Sequence, residues 1–298
     1  MRKHSRTALF IGAFLMISSS LYAINTPVDS IKKRNLMNDL NYQLTWQESL
    51  SQGKTPLWMA SNRFGLGSLK TSNGYLRASV MRPLTQDSAR HWGLGYGIDL
   101  ALPHGFTSKF IVQQAFVDFR WHHGLLTIGA KDQQLSSGSQ TLGINARPIP
   151  EVRISLPSYW VVPFTGRWLH LKGHIAYGIS TDNRWQKDFT QRQNRYTENT
   201  LYHSKAGYLM IGNPERHVPF SVELGLEMAC QFGGKSFIRE GNHMKEIKNS
   251  NSLRSFKNAF FPGGTDVTDE NFINAEGNQL GSWVARLNYD KAQWGLSL

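Results

Sequence analysis

The sequence predicts an all-β chain, an antiparallel transmembrane β-barrel of the outer-membrane type, and three observations carry that expectation. The first is the stretch 220–233, FSVELGLEMACQFG. Phe220, Val222, Leu224, Leu226, Met228, Cys230 and Phe232 alternate without a break against Ser221, Glu223, Gly225, Glu227, Ala229, Gln231 and Gly233. A strand sends successive side chains to opposite faces, so one face here is wholly apolar and the other carries two carboxylates. The run is longer than the ~9–11 residues a tilted strand needs to cross a bilayer, and far longer than the mode of about 5–6 in soluble sheets. The second observation is that no segment beyond residue 23 offers the ~18 apolar residues of a spanning helix. A chain of this kind enters a membrane only as strands. The third is recurrence: roughly ten or eleven alternating segments are separated by short turns and long polar excursions in turn.

Residues 1–23 read as a signal peptide. Arg2, Lys3 and Arg6 form a basic start, 8–17 an apolar run, and 18–23 a small or polar run ending at Ala23. Residues 24–41 are polar and charged and read as a periplasmic lead-in. Residues 42–298 read as the barrel, partial, with about 10–12 strands. Within it, 42–50 predicts a first strand and 55–65, TPLWMASNRFG, a second after a short turn. Segments 75–81, 92–102, 111–121, 125–131, 169–179, 201–211, 220–232, 282–289 and 293–298 follow as further strands.

Two stretches interrupt this meander. Residues 142–163 contain four prolines, which cannot donate to a ladder, so the whole stretch reads as an ordered excursion, either into the lumen or outside. Residues 234–277 are the longest gap, with a short helix expected at 252–261, and read as an extracellular cap.

Composition narrows the function classes. The formal net charge of +12 falls to +9 without Arg2, Lys3 and Arg6. Export argues against nucleic acid as the partner of that charge; lipopolysaccharide phosphates, an acidic polysaccharide or plain solubility remain open. Cys230 is the lone cysteine, so there is no disulfide framework and no paired-cysteine metal or redox site. No cofactor is expected. Nine Trp and ten Tyr suit interface girdles, as they would a soluble sandwich.

The segments GYGIDLALPHG, QQAFVDFRW, LLTIGAKD, NARPIPEVRIS, GHIAYGISTDNRWQKDF, LYHSKAG, ELGLEMACQFGG and GNQLGSWVARLNYD occur in this order from about residue 53 onward. In order and spacing they resemble the Wzi family of capsule assembly proteins, in the form found in Bacteroides-like bacteria. The resemblance implies an outer-membrane barrel that acts as a surface lectin, attaching capsular polysaccharide at the cell exterior without catalysis. It implies outer-membrane lipid and lipopolysaccharide as surroundings, and the barrel assembly machinery as a partner during insertion. Members of that family are larger barrels, so the resemblance also implies that strands are missing after Leu298, as in a truncated product; a smaller barrel that closes and completion by partners are the alternatives.

Candidate site residues follow from chemistry. Asp182, Arg184, Trp185 and Lys187 set hydrogen-bonding groups around one flat aromatic ring, the composition a sugar requires; an interface Trp with solvated neighbours is the alternative. Asn145, Arg147 and Arg153 flank the prolines, and a guanidinium fork suits the carboxylate of a uronic acid. The same arginines suit pairing with Glu151, Glu223, Glu227 or Asp118 in a polar lumen. His170, Lys172, His174, Glu223 and Glu227 are expected as a lumenal polar network. On a strand His170 and His174 stand about 13 Å apart, too far to chelate one ion, so no metal site is expected. Asp266, Asp269 and Glu270 read as a solvated loop. His203 and Ser204 are adjacent and face opposite ways, so a hydrolase would need a histidine reaching Ser204 from across the barrel. A diffusion porin is the other alternative to the binding reading.

Overall fold

The computed structural model describes residues 15–23, 36–37, 40–53, 55–133, 141–142, 145–181, 185–191, 194–213, 219–262, 277–291 and 294–297, with the backbone alone for 15–23, 185, 189 and 290–297. Its strands are β1 (Leu15–Ala23), β2 (Asn41–Leu50), β3 (Ser72–Arg82), β4 (Trp92–His104), β5 (Ile111–Trp121), β6 (Gly124–Ala130), β7 (Glu151–Val161) and β8 (Leu169–Ile179). They continue with β9 (Tyr196–Glu198), β10 (Leu201–Ile211), β11 (Phe220–Phe232), β12 (Lys235–Glu240), β13 (His243–Lys248), β14 (Asn278–Lys291) and β15 (Trp294–Ser297). Two helices, α1 (Trp185–Phe189) and α2 (Leu253–Phe260), lie between strands.

Twelve strands form one antiparallel sheet in the order β1-β2-β3-β4-β5-β6-β7-β8-β10-β11-β14-β15, and β13-β12-β9 form a second, small one. The order of the large sheet is linear: among the described residues no pairing joins its first strand to its last. No helix among the described residues is long and apolar enough to cross a membrane.

The sheet is inverted relative to a water-soluble one. Along β11, Phe220, Val222, Leu224 and Leu226 are exposed while Glu223 and Glu227 are buried. The same parity runs across the register. Leu44 and Trp46 on β2, Ile98 on β4, Val117 and Phe119 on β5, Ile154 on β7, Ile175 on β8 and Leu287 on β14 share the bare apolar face. On the covered face Gln47, Ser79, Asp99, Gln114, Asp118, Thr127, Glu151 and Arg153 are buried. Hydrophobic burial would drive the opposite arrangement in water.

Connections sort by end. The connections β3–β4, β5–β6, β7–β8 and β10–β11 leave the sheet at one end, and β2–β3, β4–β5, β6–β7, β8–β10 and β11–β14 at the other, where all but the short β4–β5 link are longer than any at the first end. Antiparallel neighbours force this alternation, but not the contrast in length. Aromatics gather on the bare face at the short-turn end, where Trp92 packs on Phe119 at 6.1 Å and Phe220 on Tyr289 at 5.0 Å.

Several expectations need correction. Residues 55–65 form no strand; Leu57–Met59 is a single 3-10 turn, and Asn62, Phe64 and Gly65 take positive φ. Pro56 starts that turn, and the left-handed residues bend the chain back onto the covered face, where Leu66 packs with Ala101 and Ile111. The proline stretch divides. Residues 151–161 are strand β7, with Pro157 falling where the register with β8 shifts between Leu156 and Trp160, a bulge that needs no proline N–H.

The 234–277 excursion holds the hairpin β12–β13 as well as α2. The short β12 and β13 fell below the length at which alternation is legible in so polar a segment. Helix α2 lies against the apolar face, over Cys230, Phe232 and Tyr177, so Cys230 is fully buried under it rather than bare as the alternation of its strand suggests. Polar groups on that face exist to receive it. Tyr177 Oη donates to Phe256 O at 3.0 Å, while Gln279 Nε2, donating to Asn258 O at 3.2 Å, and Lys205 Nζ, donating to Phe260 O, satisfy carbonyls the helix end leaves open. Residues 15–23, expected in the signal peptide, pair as β1 along β2. Backbone pairing of this kind is available to any sequence and does not bear on processing.

Candidate functional site

The covered face is a continuous polar network built from neighbouring strands. Arg77 on β3 grips Asp99 on β4 in a two-pronged pair, Nε to Oδ1 at 2.8 Å, and Gln114 Nε2 reaches Asp99 Oδ2 at 3.0 Å. Lys131 pairs with Asp118, whose other oxygen accepts Thr127 Oγ1 at 2.7 Å. Asp132, just past β6, accepts from Gln113 at 3.2 Å; burial raises its carboxyl above the usual range, and Arg77 opposes that rise. Burial of so many ions on one face is tolerable only because each meets a partner.

His170, Lys172, His174, Glu223 and Glu227 all lie on this covered face of the sheet. Lys172 lies over the rings of Tyr159 and Tyr208, at 5.1 and 4.8 Å. Tyr208 donates to Glu227, and Arg286 stands 3.7 Å from Glu223. His170 is buried at the short-turn end. Tyr208 lies flat across Gly225, where a β-carbon would come within 2.9 Å of its Cε1, so a glycine is required opposite that ring.

His174 corrects an expectation. Its Nε2 lies 3.2 Å from Ser204 Oγ, so Ser204 meets a histidine from the adjacent strand β8 rather than from across the sheet. The register explains it: Ser204 pairs with Ala176, and His174 is the next same-face residue along β8, within diagonal reach. Hydroxyl and imidazole have the spacing of a nucleophile and base, yet Ser204 is fully buried, out of reach of a substrate in this conformation.

Segment 145–149 crosses the covered face and separates two cavities. One of about 380 Å³ is lined by Phe64, Lys131, Arg147, Arg153, Tyr202 and Gln231 among others. The second, of about 840 Å³, is bounded by Ser68, Lys70, Phe106, Arg147, Ser180 and Thr181 among others. Leu142 anchors the near end of the loop in a cluster with Ala206 and Tyr208, while Thr141 Oγ1 bonds Ser282 Oγ at 2.6 Å. The described parts of the excursion, 141–142 and 145–149, thus lie against the covered, polar face of the sheet.

Of the three residues flanking the prolines, two are already engaged. Arg153 Nε donates to Glu151 Oε1 at 2.6 Å, both side chains buried. Asn145 Oδ1 accepts the Asn62 N–H at 2.7 Å, tying the 55–66 and 145–149 loops together. Arg147 lines both cavities, and its buried Nε has no hydrogen-bond partner among the described residues. Burial alone moves its pKa, downward, with no neighbouring charge contributing.

The second expected cluster is not assembled by anything described. Asp182 and Arg184 lie outside the described residues, as do Asp266, Asp269 and Glu270. Trp185 opens α1 with its side chain undescribed, and Lys187 is half-buried on the same helix. Sequence reasoning missed Arg77, Asp99 and Lys131; their signal was alternation itself, a charge recurring on the polar parity of an otherwise apolar strand. Among the described residues no three His, Cys, Asp or Glu side chains gather as a metal site requires. No protein-family model, no curated protein and no solved structure matches the chain, so the site stands on its own geometry.

Proposed function

We propose that this chain is an outer-membrane β-barrel protein that binds capsular or other surface polysaccharide and attaches it at the cell exterior, without catalysis. The observation that carries the reading is the inversion of the sheet, with exposed Leu224, Leu226 and Ile175 on one face and buried Glu223, Glu227 and Asp118 on the other. Lipid against the apolar face and a hydrated polar interior make both faces favourable at once. In this reading the sheet closes in the membrane, because unpaired backbone groups in hydrocarbon cost several kcal/mol each. The long connections 51–71, 131–150, 180–200 and 233–277 then face the cell exterior.

Binding rather than diffusion is supported by the loops on the inner face. Leu142, Leu66 and the 145–149 segment occupy space a porin leaves to water, and leave cavities lined by hydrogen-bonding groups. Planar-bilayer recording separates the two: a filled barrel gives no steady conductance, a porin does. In cells, deletion of the gene is expected to release polysaccharide into the medium and its return to restore the surface layer. An unchanged surface layer after deletion removes the proposal. The His174–Ser204 pair favours a barrel-embedded hydrolase as the second reading, and loss of lipid or glycan cleavage in Ser204→Ala protein establishes it in place of the first.

A further inference from the structure

We infer that Arg147 is the anchor of a carboxylate-binding site, and that the sugar held between the 55–66 and 145–149 loops is an acidic one. The inference rests on the polysaccharide-binding reading above and adds the charge of the ligand and the residue that reads it.

Charge bookkeeping along the cavity walls leads to Arg147. Lys131 is neutralised by Asp118 and Arg153 by Glu151, and Glu151 is the one acid among the described lining residues of either cavity. Among the described lining residues Arg147 is the cation that faces both cavities with no counter-charge beside it, and Lys70 adds a second cation to the rim of the larger. Arg147 is half-buried and its Nε is buried with no hydrogen-bond partner among the described residues, so it is free to take an anion, and a carboxylate fits the planar guanidinium fork in two parallel hydrogen bonds.

The surroundings are prepared for that role. Gly65 takes φ +75° and passes so close that a β-carbon there would meet Arg147 N at 2.9 Å. With the bond from Asn62 to Asn145 it fixes the backbone on both sides of the guanidinium before any ligand arrives. Phe64 in the smaller cavity and Phe106 in the larger offer apolar ring faces to a sugar. Gln231, shared by both cavities, and Ser180 and Thr181 in the larger supply hydroxyl-directed hydrogen bonds. Volumes of about 380 and 840 Å³ fall within the range of about 300–1,000 Å³ usual for small-ligand sites.

The test is calorimetric titration of the full chain in detergent micelles with three probes of one shape: trigalacturonate, its methyl ester, and the carboxyl-reduced neutral trisaccharide. The wild type is expected to bind the acid at least about tenfold more tightly than the ester or the neutral sugar, the scale of one charge-assisted pair. Arg147→Gln is expected to abolish that preference while keeping the weaker neutral binding, and Arg147→Lys to restore part of it. Equal affinity for the acid and its ester overturns the inference and leaves the polysaccharide reading standing, and it does so without any variant. A preference that survives in folded Arg147→Gln protein overturns the assignment to Arg147. Binding of none of the three overturns the inference together with the reading it rests on.

Discussion

Leu224→Arg separates a lipid-facing sheet from a water-facing one by the size of its effect. Leu224 is 48% exposed and sits on β11 between Leu209 of β10 and Ala285 of β14, away from α2. It lies four residues beyond Phe220, which at about 3.3 Å per residue is roughly 13 Å along the strand. A tilt near 45° turns that into about 9 Å of depth from the short-turn end, close to the middle of an apolar band about 25 Å tall. In water, an exposed leucine exchanged for arginine changes stability by about 0.5 kcal/mol or less. At the midplane of a bilayer the same arginine costs about 2–4 kcal/mol. Equilibrium urea unfolding of protein folded into lipid vesicles, followed by tryptophan emission, reads the difference. A loss of about 2–4 kcal/mol is expected for Leu224→Arg, and a much smaller loss for the same exchange at Leu253, a 90%-exposed residue of α2. A change within about 0.5 kcal/mol at Leu224 in lipid refutes the orientation of the sheet, and with it the inverted core.

Three further outcomes are expected. Glu151→Ala strands Arg153 in the polar interior and is expected to destabilise by about 3–5 kcal/mol, whereas the double variant with Arg153→Ala loses markedly less than the sum; additive losses in denaturant titrations contradict the pairing. Cys230 lies fully buried beneath α2, so a maleimide is expected to label it only slowly in the folded protein, and Lys205→Met combined with Gln279→Ala, which frees the helix end, to speed labelling by about tenfold. Rapid labelling of the wild type contradicts the placement of α2. The β12–β13 hairpin has a pH limit: Lys235, bonded to Glu246 at 2.8 Å, holds that carboxyl below its ordinary 4.5. A depressed carboxylate stabilises above its unfolded pKa and the contribution disappears as pH falls through the folded one, so hairpin amides, corrected for intrinsic exchange, are expected to lose protection below pH 4.5 before those of β11. Protection that rises on acidification contradicts the ion pair.

What the sequence disclosed follows from which forces are local. Alternation is a property of consecutive residues, so β4, β5, β8, β10 and β11 were legible from strings such as 220–232, including which parity is polar. That His170, Lys172, His174, Glu223 and Glu227 share one face of the sheet was legible for the same reason. Residues 55–65 misled because their apolar residues satisfy a strand pattern, while the turn is decided by positive φ at Asn62, Phe64 and Gly65 and by packing on Ala101 and Ile111 from distant strands. The site was visible as residue types but not as roles. Arg147 and Arg153 look alike in sequence, and what distinguishes the bound cation from the available one is where strand β7 begins: Glu151 and Arg153, two apart on it, share a face and pair, while Arg147 falls on the preceding loop between cavities. The contact of His174 with Ser204 depends on a two-residue offset between β8 and β10 that no local pattern encodes. Helix α2 at 253–260 falls within the short helix expected at 252–261, but its seat on the apolar face depends on Tyr177, Lys205 and Gln279 from three strands.

The most direct test of the central claim is fractionation followed by gel electrophoresis with and without boiling. A hydrogen-bonded barrel with its apolar face in lipid predicts recovery in the outer-membrane fraction and a faster band that shifts on heating. Recovery as a soluble periplasmic monomer, with one mobility whether heated or not, contradicts the account.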